Sequence, residues 1–369
     1  MCLLGETGPR LFGIGTADRL RRQFAREGAT SCLSLEEAAK HDGPVTMLKA
    51  DAVLDQPLIS VMMKTPNLLL LGEGPAGETP LAAQVRGPDV LATAELLSDR
   101  DSRQSHMLDA RTPAELGVQF WKALRKRETP YAFAVSQANA AAAEWRVFRG
   151  TYKGATDIVT KYLWPVPAFH ATRWLARIGV TPNMVTTIAA FLMVLAFWLF
   201  LRGDFALGLV AAWLMTFLDT VDGKLARVTL TSSKWGDIFD HGIDLVHPPF
   251  WYVAWGLALD WPATTFWWVI AAILGGYILQ RVMEGIAIKW LGLEIHIWRK
   301  LDTLFRQVTA RRNPNLILLT LGVLIGRPDW GLLAVATWTI ACLILHALQL
   351  LQALNAQRRG PLTSWMTHG

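Results

Sequence analysis

Apolar residues are distributed in two different ways along this chain. Before residue 150 they come in short stretches between charges and turns; from Thr181 onward they fill long runs broken by brief polar segments. Runs long enough to cross a bilayer predict helices near 183–201, 205–222, 237–259, 264–283, 314–326 with its flanks, and 331–354. The third is faint by hydropathy, because Asp240, His241, Asp244 and His247 occupy its first half, and a hydropathy scan alone would count five. In the front part, 45–48, 67–71 and 131–135 read as buried strands, and 17–27 and 113–127 as helices. That alternation favours an α/β sandwich. Residues 156–177 mix aromatics with Lys161, Arg173 and Arg177, which suits an interfacial amphipathic helix broken at Pro165 and Pro167. A soluble linker helix is the plainer alternative. The expected fold is an α-helical integral membrane domain of six transmembrane helices at 182–358. A cytosolic α/β domain at 1–150 and an amphipathic linker at 151–181 precede it.

Charge sets the expected orientation. With the amino terminus inside, the inward segments 151–182, 223–236, 281–313 and the tail from 355 hold 4, 3, 7 and 2 Lys plus Arg. The outward turns hold Arg202 and Arg327 alone. This asymmetry follows the positive-inside rule and explains the net +6 without a nucleic-acid partner. Residues 1–30 lack an apolar stretch of signal-peptide length and are interrupted by Arg19, Arg21, Arg22 and Arg26, so the front domain is expected to stay in the cytosol. Cys2, Cys32 and Cys342 support neither a disulfide framework nor a thiolate metal site. Tryptophans such as Trp164, Trp174, Trp261 and Trp290 fall near expected interfaces, as an aromatic belt does.

Four acids stand out against this background. Asp219 and Asp222 are three apart and Asp240 and Asp244 four apart, so on helices each pair projects from one face. Carboxylates at membrane depth are costly and usually mark a function. Four of them repel unless divalent cations neutralise them, and all-oxygen ligation suits Mg²⁺, Mn²⁺ or Ca²⁺. Interhelical salt bridges are the bland alternative, but 237–259 contains no Lys or Arg to pair with Asp240 and Asp244.

Residues 219–244 fit D-x2-D-G-x2-A-R-x8-G-x3-D-x3-D at all eight specified positions. A chance match is about 10⁻¹⁰ per window, so the pattern is specific. It resembles the signature of the CDP-alcohol phosphotransferases, integral membrane enzymes of phospholipid headgroup synthesis. The resemblance covers about 150–355 and implies that a CDP-alcohol gives its phosphoryl-alcohol unit to an acceptor hydroxyl and releases CMP. It also implies two divalent cations, Mg²⁺ or Mn²⁺, on Asp219, Asp222 and Asp240. Asp244 is then the general base and a further metal contact. Asp222, Gly223, Ala226, Arg227 and Gly236, with Asn183 and Thr186 in the Thr181-Pro182-Asn183-x2-Thr186 opening of the first helix, are its expected CDP-binding residues. Headgroup snorkelling explains Arg227 as well, packing explains the glycines, and capping explains the helix opening. Arg306, Arg311 and Arg312 lie where they could hold a phosphorylated acceptor, although positive-inside anchoring accounts for them too. His241 and His247 are expected to be packing neighbours.

CDP-diacylglycerol is the expected donor and a polar alcohol or its phosphate the acceptor. A small donor such as CDP-inositol with a lipid or inositol-phosphate acceptor, and a non-catalytic membrane scaffold, remain as alternatives. By the same resemblance the protein is a homodimer in a bacterial or archaeal inner membrane, with the active site and both termini cytoplasmic. Members of the family joined to a nucleotidyltransferase-like domain are similar at 310–319. Here Gly13-Ile-Gly15-Thr-Ala-Asp-Arg19 is a thin remnant of such a partner's glycine loop, and Lys49-Ala-Asp51-x3-Asp55 resembles its metal-aspartate segment more closely. Residues 1–150 therefore read as a degenerate copy with structural or regulatory use, with an active cytidylyltransferase or an unrelated α/β domain as alternatives.

Overall fold

The structure is a computed structural model that describes residues 1–29, 31–75, 77–98, 108–232 and 234–367, apart from the side chains of 234–241, 243 and 244. The chain divides into two compact units: Met1–Tyr152 with Ala176–Gly179 and Arg227–Leu230, and Lys153–Leu175 with Val180–Ala226 and Thr231–Gly369.

The first unit is an α/β sandwich, as expected. Its strands are β1 (Cys2–Leu4), β2 (Val45–Lys49), β3 (Ala52–Leu54), β4 (Leu68–Gly74), β5 (Gly77–Val85), β6 (Asp109–Arg111), β7 (Phe120–Trp121), β8 (Lys126–Arg127) and β9 (Ala132–Ala134). The main sheet runs β1-β2-β5-β4-β9-β3, with β6 beside β4, and mixes parallel and antiparallel pairs. Alternate residues of a strand face opposite ways, and the core divides accordingly. Leu48, Leu68 and Leu70 pack with helices α1 (Thr16–Arg26) and α3 (Gln56–Lys64). Val45, Met47, Leu69 and Val85 pack with α2 (Leu35–Ala39) and α4 (Val90–Ser98). A Cβ at Gly72 would lie 2.6 Å from the Ala132 carbonyl oxygen, so glycine is needed where β4 meets β9. Helix α5 (Ala140–Gly150) closes the unit.

The helix expected at 113–127 is absent. Gly117 takes φ +67° and Arg125 φ +47°; β7 and a single 3-10 turn lie between them, and β8 follows Arg125 to pair with β7. Leu116, Phe120 and Leu124 are spaced as on a helix face in sequence, but Leu116 and Val118 pack into the cluster beneath the sheet instead.

The second unit is helical: α6 (Pro165–Arg177), α7 (Pro182–Leu201), α8 (Phe205–Val228), α9 (Lys234–Leu257), α10 (Ala263–Leu291), α11 (Lys300–Phe305), α12 (Arg312–Leu324) and α13 (Pro328–Gln357). Thr181 caps α7 by accepting from the Met184 N–H, with Pro182 in the first turn, as the sequence suggested. The prolines do not break the linker helix. Pro165 begins α6 and Pro167 sits in its first turn, where a missing N–H costs nothing; a π-helical turn at Val159–Leu163 comes before. Among the described residues, four helices, α7, α8, α10 and α13, are long and apolar enough to cross a membrane. At 13 residues α12 spans about 20 Å, short of the roughly 30 Å hydrocarbon core. The core of the unit centres on Trp251, Tyr252 and Trp255 of α9 against Phe200, Met215, Ile270 and Leu332. Helices approach closely at glycines: a Cβ on Gly322 would fall 2.6 Å from Gly331 Cα. Phe191, Trp267, Trp268 and Leu324 point outward and are 66–78% exposed, which suits lipid rather than water.

Candidate functional site

Helix α8 is apolar through its first half and polar in its last turns, and there it carries Asp219 and Asp222 one turn apart. Asp222 is 3% exposed, and its Oδ2 accepts a 2.7 Å bond from the Thr186 hydroxyl on α7. Asp219 Oδ2 accepts from Arg312 Nη2 of α12 at 2.5 Å. Further bonds brace α12: Trp213 Nε1 of α8 donates to Thr320, and Asn315 Nδ2 donates to the Tyr252 hydroxyl of α9. Three helices thus converge on the two carboxylates. Gly223, Ala226 and Arg227 continue the same helix, with Arg227 half-buried in the last turn, where a cation complements the helix dipole. Asn183 is exposed in the first turn of α7. The side chains of Gly236, Asp240, His241 and Asp244 lie outside the described residues; the backbone there is helical. His247 packs edge-on against Trp251.

A second polar centre was not foreseen. Helix α10 runs past its expected end at 283, and its Glu284 accepts from Arg281 at 2.9 Å and from Arg311 at 2.5 Å. His296, in a 3-10 turn after α10, meets the same carboxylate at 3.0 Å, and His346 of α13 stacks edge-on against His296 and bonds Gln280. Burial pushes the His296 imidazole down to about 3, further than Glu284 lifts it, so it is neutral near pH 7. Burial, then Arg311, lowers Arg306 to about 9, which leaves it charged. Several buried donor or acceptor atoms here have no partner among the described residues: Arg281 Nε, Arg306 Nη1, Arg311 Nε, His296 Nδ1 and His346 Nε2. Glu284, His296 and His346 bring ligand-type atoms within 4.8 Å of one another, as a cation site does. Three guanidiniums against the carboxylates of Glu284 and Asp157, both of which act on Arg306, reverse that reading. The excess charge is positive, and unpartnered buried donors suit an anion.

Comparison with known proteins bears on both centres. Residues 179–311 match the family described as CDP-alcohol phosphatidyltransferase. This stretch is a CDP-alcohol phosphatidyltransferase domain. The choline/ethanolaminephosphotransferase 1 of Arabidopsis thaliana is 47% identical over 70 residues, 19% of this chain and 18% of that protein. A phosphatidylinositol phosphate synthase of Streptomyces avermitilis is 36% identical over 95 residues, 26% of this chain and 37% of the relative. An archaetidylinositol phosphate synthase of Pyrococcus horikoshii is 38% identical over 79 residues, 21% and 42% respectively. The chain therefore spans less than half the length of each of these relatives.

Within the CDP-alcohol phosphatidyltransferase domain and its flank, the structure separates residues that the sequence grouped. Arg311 joins Glu284, whereas its neighbour Arg312 reaches Asp219. Arg311 precedes α12 with extended backbone and Arg312 is its first residue, so the two side chains leave in different directions. Arg281 and Glu284 carried a signal after all, since opposite charges three apart at the end of an apolar run are a helix-surface pair. Nothing in the local sequence marks His296 and His346. In the front unit, Asp55 caps α3 through the Gln56 N–H, burial raises it to about 6, and Lys49 reaches the Thr79 hydroxyl at 3.5 Å.

Proposed function

We propose that this protein transfers a substituted phosphate from a CDP-alcohol to the hydroxyl of an acceptor alcohol, with release of CMP, as a step of phospholipid synthesis. The observation that carries this reading is Asp222, 3% exposed and bonded to Thr186, one turn from Asp219 within the matched domain. A carboxylate at that depth costs roughly 3 kcal/mol unless its charge is neutralised, and two acids one turn apart are a setting that divalent cations suit. The donor set fits hard divalent ions, because the described atoms are carboxylate and hydroxyl oxygens.

Asp219, Asp222 and Asp240 would hold two ions, Mg²⁺ or Mn²⁺, with Asp244 alongside. Bound there, the ions neutralise the pyrophosphate of the donor. Thr186 orients Asp222. Gly223, Ala226 and Gly236 leave room for the CDP moiety, and Arg227 and Asn183 offer donors to it. Asp244 takes the proton of the acceptor hydroxyl as its oxygen bonds to phosphorus and the phosphorus–oxygen bond to CMP breaks. Arg306 and Arg311, with their unpartnered donors, favour an acceptor that carries an anionic group. CDP-diacylglycerol then serves as the donor.

The choline/ethanolaminephosphotransferase likeness favours a second reading, in which a small CDP-alcohol is the donor and a lipid hydroxyl the acceptor. The basic centre at Glu284 has no task in that scheme. We further infer that α9 and α12 cross the membrane with the four long helices, making six. The carboxylates and both termini then face the cytosol of a bacterial or archaeal cell, and the protein works as a homodimer. Exposed Tyr162, Leu163, Val166 and Trp174 support an interfacial position for 151–181. The front unit acts as a degenerate nucleotidyltransferase-like domain.

Purified protein should release CMP from CDP-diacylglycerol with inositol phosphate or glycerol phosphate, and far less with inositol or serine. Release only with a soluble CDP-alcohol and a lipid hydroxyl selects the second reading. No CMP from any pair, or lipid products unchanged by Asp244→Asn in cells, leaves a scaffold as the better account.

A further inference from the structure

The ion pair between Asp219 and Arg312 is nearly dry, with side chains 16% and 14% exposed. That pairing conflicts with the proposed role of Asp219. If Oδ2 held both the guanidinium and a divalent cation, charges of +1 and +2 would lie within about 5 Å, a repulsion little screened by water. Asp222 has no such conflict with Thr186, whose hydroxyl is neutral.

The surroundings of Arg312 suit an exchange. The backbone of the first turn of α12 is pinned on several sides. Arg311 is tied to Glu284, Asn313 Nδ2 donates to Asp157 at 3.0 Å, and Asn315 donates to Tyr252 at 2.8 Å. Arg312 can therefore change partner by rotating its side chain, without moving the helix. Its Nη1 meets the Met215 sulfur at 3.8 Å, a contact that resists rotation little.

We propose that Arg312 is an exchangeable counter-ion: it holds Asp219 in the absence of metal, leaves it when a divalent cation binds, and then donates to a phosphate oxygen of the substrate. Cation loading and the creation of a phosphate-binding arginine become one event. This inference rests on the reading of Asp219 as a metal ligand.

The test is Mn²⁺ binding to the full-length protein in detergent, followed by electron paramagnetic resonance without substrate. Arg312→Gln should bind Mn²⁺ about tenfold more tightly than the unaltered protein, because a competing cation is gone. Arg312→Lys keeps the charge and should stay near the unaltered affinity, which also covers a folding fault in the glutamine variant. Arg358→Gln, at an exposed position, removes a charge elsewhere and should change nothing. Inorganic phosphate should tighten Mn²⁺ binding in the unaltered protein, and less so in Arg312→Gln. Equal or weaker Mn²⁺ binding by Arg312→Gln overturns the exchange while leaving the metal site standing. No saturable Mn²⁺ binding by the unaltered protein removes the metal site itself, and the exchange with it.

Discussion

Two polar centres interrupt the apolar interior of the helical unit, and each joins arginine to carboxylate, yet they call for opposite ligands. On α8, Asp219 and Asp222 share a helix face, with one arginine donating to Asp219. At the end of α10, Glu284 meets Arg281 and Arg311, Arg306 lies in the field of both Glu284 and Asp157, and the His296 and His346 rings stack beside them. The sign of the excess decides what each can hold. Paired acids mark the first, which suits divalent cations; guanidiniums outnumber carboxylates at the second, which suits an anion. A donor pyrophosphate clamped by metal and an acceptor carrying its own negative group fit this division of labour.

The comparison breaks most sharply at Asp222. Asp222→Asn removes charge at the first centre alone and should lower CMP release by about 10³-fold or more, read as initial rate with saturating substrates. A loss under tenfold would mean that α8 does not hold the reacting groups. At the second centre, Arg311→Gln should raise the acceptor KM by at least about tenfold and leave kcat within about threefold. A fall in kcat at unchanged KM would move Arg311 to the chemistry and erase the distinction.

A smaller effect comes from His296. Its folded pKa, about 3, lies below the ordinary value near 6.5, so between those limits the unfolded chain binds a proton that the folded one does not. Its contribution to stability is therefore present above about pH 6.5 and is lost as pH falls toward 3, by about 2 kcal/mol at pH 5. Thermal midpoints should drop from pH 7 to pH 5 in the unaltered protein and drop less in His296→Gln. Parallel curves would mean that His296 is hydrated.

Sequence made the first centre legible and hid the second. Asp219, Asp222 and the cap at Thr181 lie in short motifs on helices whose apolar runs are unmistakable. Glu284, His296 and His346 come from three separate elements, and only the packing of α10 on α13, where Gln280 meets His346 and Gly276 admits Thr339, brings them together. Adjacent Arg311 and Arg312 looked equivalent because their spacing says nothing about where a helix begins. Position within the first turn sends one to Glu284 and the other to Asp219. The helix expected at 113–127 failed for a related reason: apolar spacing fitted, but Gly117 and Arg125 adopt left-handed backbone that no regular helix tolerates.

Chelation tests the central claim most directly. CMP release from CDP-diacylglycerol and a phosphorylated alcohol is measured before EDTA, after it, and after Mg²⁺ or Mn²⁺ is restored. The account predicts turnover that vanishes with the chelator and returns with either ion. Turnover that survives complete removal of divalent cations would contradict it.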